Sequence, residues 1–145
     1  MIHTQRIPLS TRGGCDMHDL TPRVKQIIQE CGLRAGTVTV FSPSSTSALT
    51  TIEFESGALD DLRAALERVA PAGVDYRHNL AWGDGNGHAH LRAALLGPSL
   101  TIPVVDGSLT LGTWQQILFI DFDVRPRQRQ ILVQAMGETG WPAVV

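Results

Sequence analysis

The chain has 145 residues, 43% apolar and 18% charged, the length and balance of one globular domain over 1–145 rather than a disordered segment. Twelve basic and fourteen acidic residues leave a formal charge of −2, which excludes the basic excess a nucleic-acid or membrane-surface binder needs and points to a small-molecule partner. Two cysteines, Cys15 and Cys31, are too few for a disulfide framework or zinc knuckle, and with no long apolar run and no leader pattern a reduced, cytoplasmic protein with no membrane span is expected.

In chain order, Met1 to Leu9 is rich in β-branched residues and contains Pro8, which suits an edge strand. Thr21 and Pro22 read as a cap and first turn, followed by Val24, Ile27, Ile28 and Cys31 at helical spacing, with Gly32 as terminator. Thr37 to Phe41 is a strand that ends in the hydroxyl-rich loop Ser42 to Ser47, and Leu49 to Glu55 is the next strand. Leu59, Leu62, Leu66 and Val69 mark a second helix that Pro71 stops. From Ala72 to Gly87 no period holds, so this stretch reads as an ordered, packed loop.

Gly87 to Leu96 reads as a third helix with Asn86 as its cap, Leu91 and Leu95 on one face, and Gly97-Pro98 at its end. Leu100 to Leu111 alternates around Asp106-Gly107, the signature of a two-residue hairpin. In Thr113 to Phe122 both strand faces are apolar, so one must meet a further layer or another subunit. Gln130 to Met136 is the last strand, and Trp141 and Pro142 read as a packed tail.

Chemistry concentrates between Tyr76 and Leu91, where His78, His88 and His90 fall close to Asp84 and Asn86. Neutral imidazoles at a helix start suit a divalent metal ion, and they suit helix capping equally well. His88 and His90 are two apart, about 200° around a helix, so His78 pairs more readily with one of them than they pair with each other. The loop hydroxyls of Ser45 and Thr46 can hold a phosphate, although serine-rich turns are commonly plain loops. Arg125, Arg127 and Arg129 alternate and read first as solvated edge charges, second as phosphate or subunit contacts.

Tyr76-Arg77-His78-Asn79, the Asp84-Gly85-Asn86 turn with His88 and His90, Leu96-Gly97-Pro98-Ser99 and Leu111-Gly112-Thr113-Trp114-Gln115 occur in the order that resembles the YjbQ-like family, UPF0047, from about Thr4 to Val133. The resemblance implies an α+β fold, a β-sandwich of two mostly antiparallel sheets with flanking helices that assembles as a homotrimer. It also implies a metal-dependent enzyme acting on a phosphorylated small molecule, in its most concrete form a secondary thiamine phosphate synthase. That reaction condenses a pyrimidine pyrophosphate with a thiazole phosphate.

On that reading a divalent ion, zinc or magnesium/manganese, is held by His78, His88 and His90. Glu53 and Asp84 are the acid–base candidates, while Ser45, Thr46, Asn86 and Arg127 contact ligand and Trp114 and Gln115 close a pocket at a subunit boundary. Where the family commonly has a histidine after the proline of the hydroxyl loop, this chain has Ser44. Two alternatives remain open: a metal-dependent hydrolase, and a non-catalytic trimer that binds a small ligand or metal.

Overall fold

The computed structural model describes residues 1–140. Strands β1 (Ile2–Thr11), β2 (Asp16–Asp19), β3 (Leu33–Phe41), β4 (Ser47–Ile52), β5 (Ser99–Val105), β6 (Ser108–Leu109), β7 (Gln116–Asp121) and β8 (Arg127–Thr139) form two sheets. Their orders are β1-β8-β3-β5-β6 and β2-β7-β4, with every pairing antiparallel. Helices α1 (Thr21–Cys31), α2 (Ser56–Val69), α3 (Arg77–Trp82) and α4 (Gly87–Leu96) complete the chain. The expected tail at Trp141 and Pro142 lies outside the described residues.

The apolar run of β7 explains the layering. Ile117 and Phe119 face a core shared with Val38, Val40, Ile131 and Val133 of the large sheet and with Val24, Ile27 and Ile28 of α1. Leu118, Ile120 and Phe122 face the other way, onto Leu59 and Leu66 of α2 and Ala89 and Ala93 of α4. Both faces of β7 are thus satisfied within one chain, and the doubly apolar strand calls for no second subunit.

Several elements stand where the sequence puts them: the edge strand β1, the hairpin at Asp106-Gly107 and the stops at Gly32 and Gly97. The departures have local causes. Thr21 lies inside α1, where its Oγ1 accepts from the Ile117 amide at 2.8 Å, and the Asp19 carboxylate takes the Thr21 amide at 2.9 Å. Helix α3 sits within the stretch expected to be loop, and none of its residues is buried, so it carries no apolar stripe to detect. In α4, Leu91 and Leu95 share the outward face, while His88, Ala89, Arg92 and Ala93 are buried. Gly36 and Gly137 face each other across β3 and β8 with φ of 155° and 148°, and a Cβ on either would strike the opposing backbone.

Candidate functional site

One end of the small sheet gathers the polar residues. The antiparallel register sets Ser47 of β4 opposite Asp121 of β7, so the hydroxyl loop before β4 and the acidic turn after β7 emerge side by side. The start of β8 supplies Arg127 and Arg129, and α4 begins directly above, at Asn86. The result is an open polar pocket of about 400 Å³ bordered by Ser44, Ser45, Asp84, His90, Asp123 and Arg127.

Its floor is a buried ion-pair network. Asp121 is fully buried and receives both Arg129 Nε, at 2.8 Å, and Arg129 Nη2, at 3.0 Å. Thr11 Oγ1 donates to the same carboxylate at 2.7 Å. Arg129 Nη2 also donates to Thr46 Oγ1 at 2.8 Å, and Thr46 in turn donates to Asp123 Oδ2 at 3.0 Å. Burial would raise the Asp123 pKa, but the Arg125 amide and the Arg127, Thr46 and Asn86 side chains outweigh it and hold the carboxyl below its ordinary 3.8. Arg127 Nε lies 3.1 Å from Asp123 Oδ2. Two of the three arginines are therefore not solvated edge charges: β8 is an interior strand of its sheet, and Arg127 and Arg129 neutralise buried carboxylates, whereas Arg125 is exposed in the turn before it.

The histidines divide. The His90 Nδ1 lies 3.1 Å from the Ser45 carbonyl, which can only accept; Nδ1 therefore carries a proton, and in the neutral tautomer this selects Nε2 holds the lone pair. A backbone carbonyl fixing one ring nitrogen so that the other is a free donor is how metal-binding imidazoles are commonly oriented. The His78 ring lies 4.3 Å from that of His90, centroid to centroid, and its buried Nδ1 has no hydrogen-bond partner, with Asp84 Oδ1 at 3.5 Å. His88 does not join them. It is buried on the other side of α4, beside Cys15, Glu67 and Arg92, as the 200° offset from His90 requires. Burial, and then the Arg92 charge, lower its pKa.

Among the ligand candidates, Ser45 is exposed at the pocket, while Thr46 and Asn86 are committed to the frame. Asn86 Oδ1 accepts the Val124 amide at 3.0 Å and makes no side-chain cap bond to α4. Glu53, Trp114 and Gln115 lie at the far end of the small sheet, where Ile52 pairs with Gln116, roughly 17 Å of strand from the pocket end. Glu53 is exposed in the segment after β4, and Trp114 is 72% exposed rather than packed.

The sequence reading passed over Asp121 and Asp123. A carboxylate ending a strand with two buried faces was the available signal, because such a group needs a partner, and Arg129 eight residues on provides it.

A divalent ion can be matched to this donor set. His90 Nε2, the unpartnered His78 and the Asp84 carboxylate are two nitrogens and an oxygen of the right chemistry, with Ser44 at the same pocket. Among the described residues no three His, Cys, Asp or Glu side chains are grouped to hold an ion as they stand, so binding requires side-chain rotation.

The family model for UPF0047 protein YjbQ-like matches residues 5–138. A UPF0047 protein of Methanothermobacter thermautotrophicus is 42% identical over 137 residues, covering 94% of both chains. One from Archaeoglobus fulgidus is 40% identical over 90% of this chain and 98% of its own. Among solved structures, a YbjQ-like protein of unknown function from Sulfolobus solfataricus P2 superposes with a TM-score of 0.90 at 33% identity, covering 95% of this chain and 99% of that one. A hypothetical protein from Aeropyrum pernix K1 gives 0.88 at 34% identity, over 94% and 99%.

Proposed function

The chain belongs to the UPF0047 YjbQ-like family, and we propose that its polar pocket binds a divalent metal ion through His78, His90 and Asp84 and uses it to act on a phosphorylated small molecule. The observation that carries this reading is the Ser45 carbonyl on His90 Nδ1, which aims a free Nε2 lone pair beside an unpartnered His78. Charge supports it too. Asp84, Asp121 and Asp123 face only Arg127 and Arg129, one negative charge in excess, so an anion enters readily only when a cation reverses that balance.

In this reading the metal, when bound, polarises a phosphate oxygen and offsets the charge of a departing group. The chain's own residues do the rest. Ser44 and Ser45 offer hydroxyl donors to peripheral oxygens, and Arg127, held by Asp123, presents its half-exposed edge to the ligand. Arg129 and Thr46 keep Asp121 and Asp123 paired, so the floor stays rigid.

The Gly112-Thr113-Trp114-Gln115 segment, at the opposite end of the small sheet, can reach such a pocket only from another copy of the chain. The homotrimer implied by the resemblance supplies that arrangement.

Two reactions fit, phosphate-ester hydrolysis and the condensation of a thiamine phosphate synthase, and product analysis separates them. Protein stripped with a chelator and reloaded with zinc, magnesium or manganese is given either p-nitrophenyl phosphate or the pyrimidine pyrophosphate and thiazole phosphate pair. Pyrophosphate release that needs both precursors identifies the synthase, and phosphate release from the simple ester identifies the hydrolase. Metal-dependent ligand binding without product leaves the non-catalytic reading, and no metal dependence of either binding or turnover contradicts the proposal.

A further inference from the structure

Beside the histidine pocket a groove of about 240 Å³ runs between the hydroxyl loop and the His90 side of α4. Ser44, Ser45 and His90 border both spaces, so the groove and the pocket are continuous. Beyond them the groove is walled by Ser47, Ala93, Ala94 and Pro98.

Backbone bonds fix the two walls against each other. The Ser42 amide donates to the Pro98 carbonyl at 2.8 Å, and the Leu49 amide to the Gly97 carbonyl at 3.0 Å, which ties the loop and β4 to the turn that ends α4. The Ser42 and Ser47 hydroxyls bond each other at 2.7 Å in the interior. The groove is thus part of the folded frame, formed before a ligand arrives.

The same bonds leave it little polarity to offer. The Ser45 carbonyl is taken by His90 Nδ1, the Ser44 hydroxyl oxygen accepts the Thr46 amide at 3.1 Å, and Ser47 is bonded to Ser42. Arg92, the one arginine of α4, is buried on the opposite side and bonded to Glu67 and the Ala70 carbonyl. Past the shared serines and imidazole, the walls are the methyl groups of Ala93 and Ala94 and the ring of Pro98. A body rich in hydroxyls would lose its water there without finding partners, whereas an apolar one gains by leaving water. A dry apolar cavity of about 150 Å³ holds a benzene ring, so the groove has room for one ring with short substituents.

We propose that this groove seats the organic part of the molecule whose phosphate enters the polar pocket, and that the molecule is a monophosphate of a ring-sized apolar alcohol or phenol. The proposal rests on the phosphate reading of that pocket and narrows it. Sugar phosphates are disfavoured, and so is a pyrimidine, whose ring nitrogens need donors that the alanine and proline walls lack.

The test uses phosphonates, whose carbon–phosphorus bond is not hydrolysed, so that binding is read without turnover. Phenylphosphonate and methylphosphonate share a head group and differ by a ring. Both are titrated by calorimetry, at several temperatures, into protein loaded in turn with zinc, magnesium and manganese. Phenylphosphonate should bind about tenfold tighter, the worth of burying part of one ring, with the more negative heat-capacity change that apolar burial gives. Ala94→Phe, at an exposed position of α4, should fill the groove and cancel that advantage while methylphosphonate affinity and melting stay unchanged; Ala94→Leu, a smaller filler, should cancel part of it. Equal affinity for the two phosphonates, an advantage that survives both substitutions, or substitutions that weaken both ligands alike would overturn the subsite and leave the phosphate reading of the pocket standing. Failure of both phosphonates to bind with any of the three ions would overturn that reading and the subsite together.

Discussion

At the scale of single residues, the candidate pocket rests on carboxylates that are charged although buried. Asp121 keeps its charge because Arg129 meets it with two hydrogen bonds and Thr11 with a third. Removing one partner from such a pair costs about 3–5 kcal/mol, so the network is a condition of the fold before it is a feature of the site. Asp123 makes this measurable. Its folded pKa lies below its unfolded value, so its contribution to stability is complete above the unfolded pKa and is lost as pH falls through the folded one. Urea unfolding from pH 7 down into the acid range should show wild type losing stability below about pH 4, where the unfolded chain begins to take up a proton on this carboxylate that the folded one still excludes. Asp123→Asn should be less stable at neutral pH and show a shallower fall over the same range. Parallel curves for the two proteins would mean that Asp123 is not held in its charged form. Asp16, lowered in the same direction by the Arg12 amide and His18 against the opposing effect of burial, adds to the wild-type slope and is unaffected by that substitution.

At the scale of elements, what was legible in the sequence follows burial. Helices α1 and α2 and strand β5 carry apolar residues at the period of their secondary structure, β1 is rich in β-branched residues and β7 is an unbroken apolar run, and each stands close to its expected place. Short α3 has no buried face and left no such trace. Strand β2 holds Asp16, Met17, His18 and Asp19, only four residues without alternation, and was likewise invisible. In the pocket, the separation of His88 from His90 follows from helix geometry, and the structure assigns His90 to the side of the hydroxyl loop. The pairing of Arg129 with Asp121 was not legible, because it depends on how β7 and β8 lie in space. Strand β7 provides the element-level test. Leu118→Ala removes a fully buried side chain between the small sheet and the α2–α4 layer, and should cost about 2–5 kcal/mol in chemical unfolding. Its oligomer size should not change, because that face is covered within the chain; dissociation on mutation would show that a neighbouring subunit packs there instead.

At the scale of the whole molecule, the arrangement separates two polar regions by one helix. The histidine pocket and the cleft beside Cys15, Glu67 and Arg92 share α4 as a wall, and the alternation of His88 and His90 around it gives one imidazole to each. Among the described residues no helix is long and apolar enough to cross a membrane. The outer face of the large sheet leaves Ile2, Phe41, Val105 and Met136 exposed. The central claim is that His78 and His90, and not His88, hold a metal ion in the polar pocket. The most direct measurement is the metal content of untagged protein, comparing wild type with His78→Ala, His90→Ala and His88→Ala, with folding and oligomer size followed in parallel. Near-stoichiometric metal in wild type and in folded His88→Ala, lost in folded His78→Ala and His90→Ala, is the predicted result. Metal that persists in both of the latter variants, or that disappears only with His88, would contradict the account.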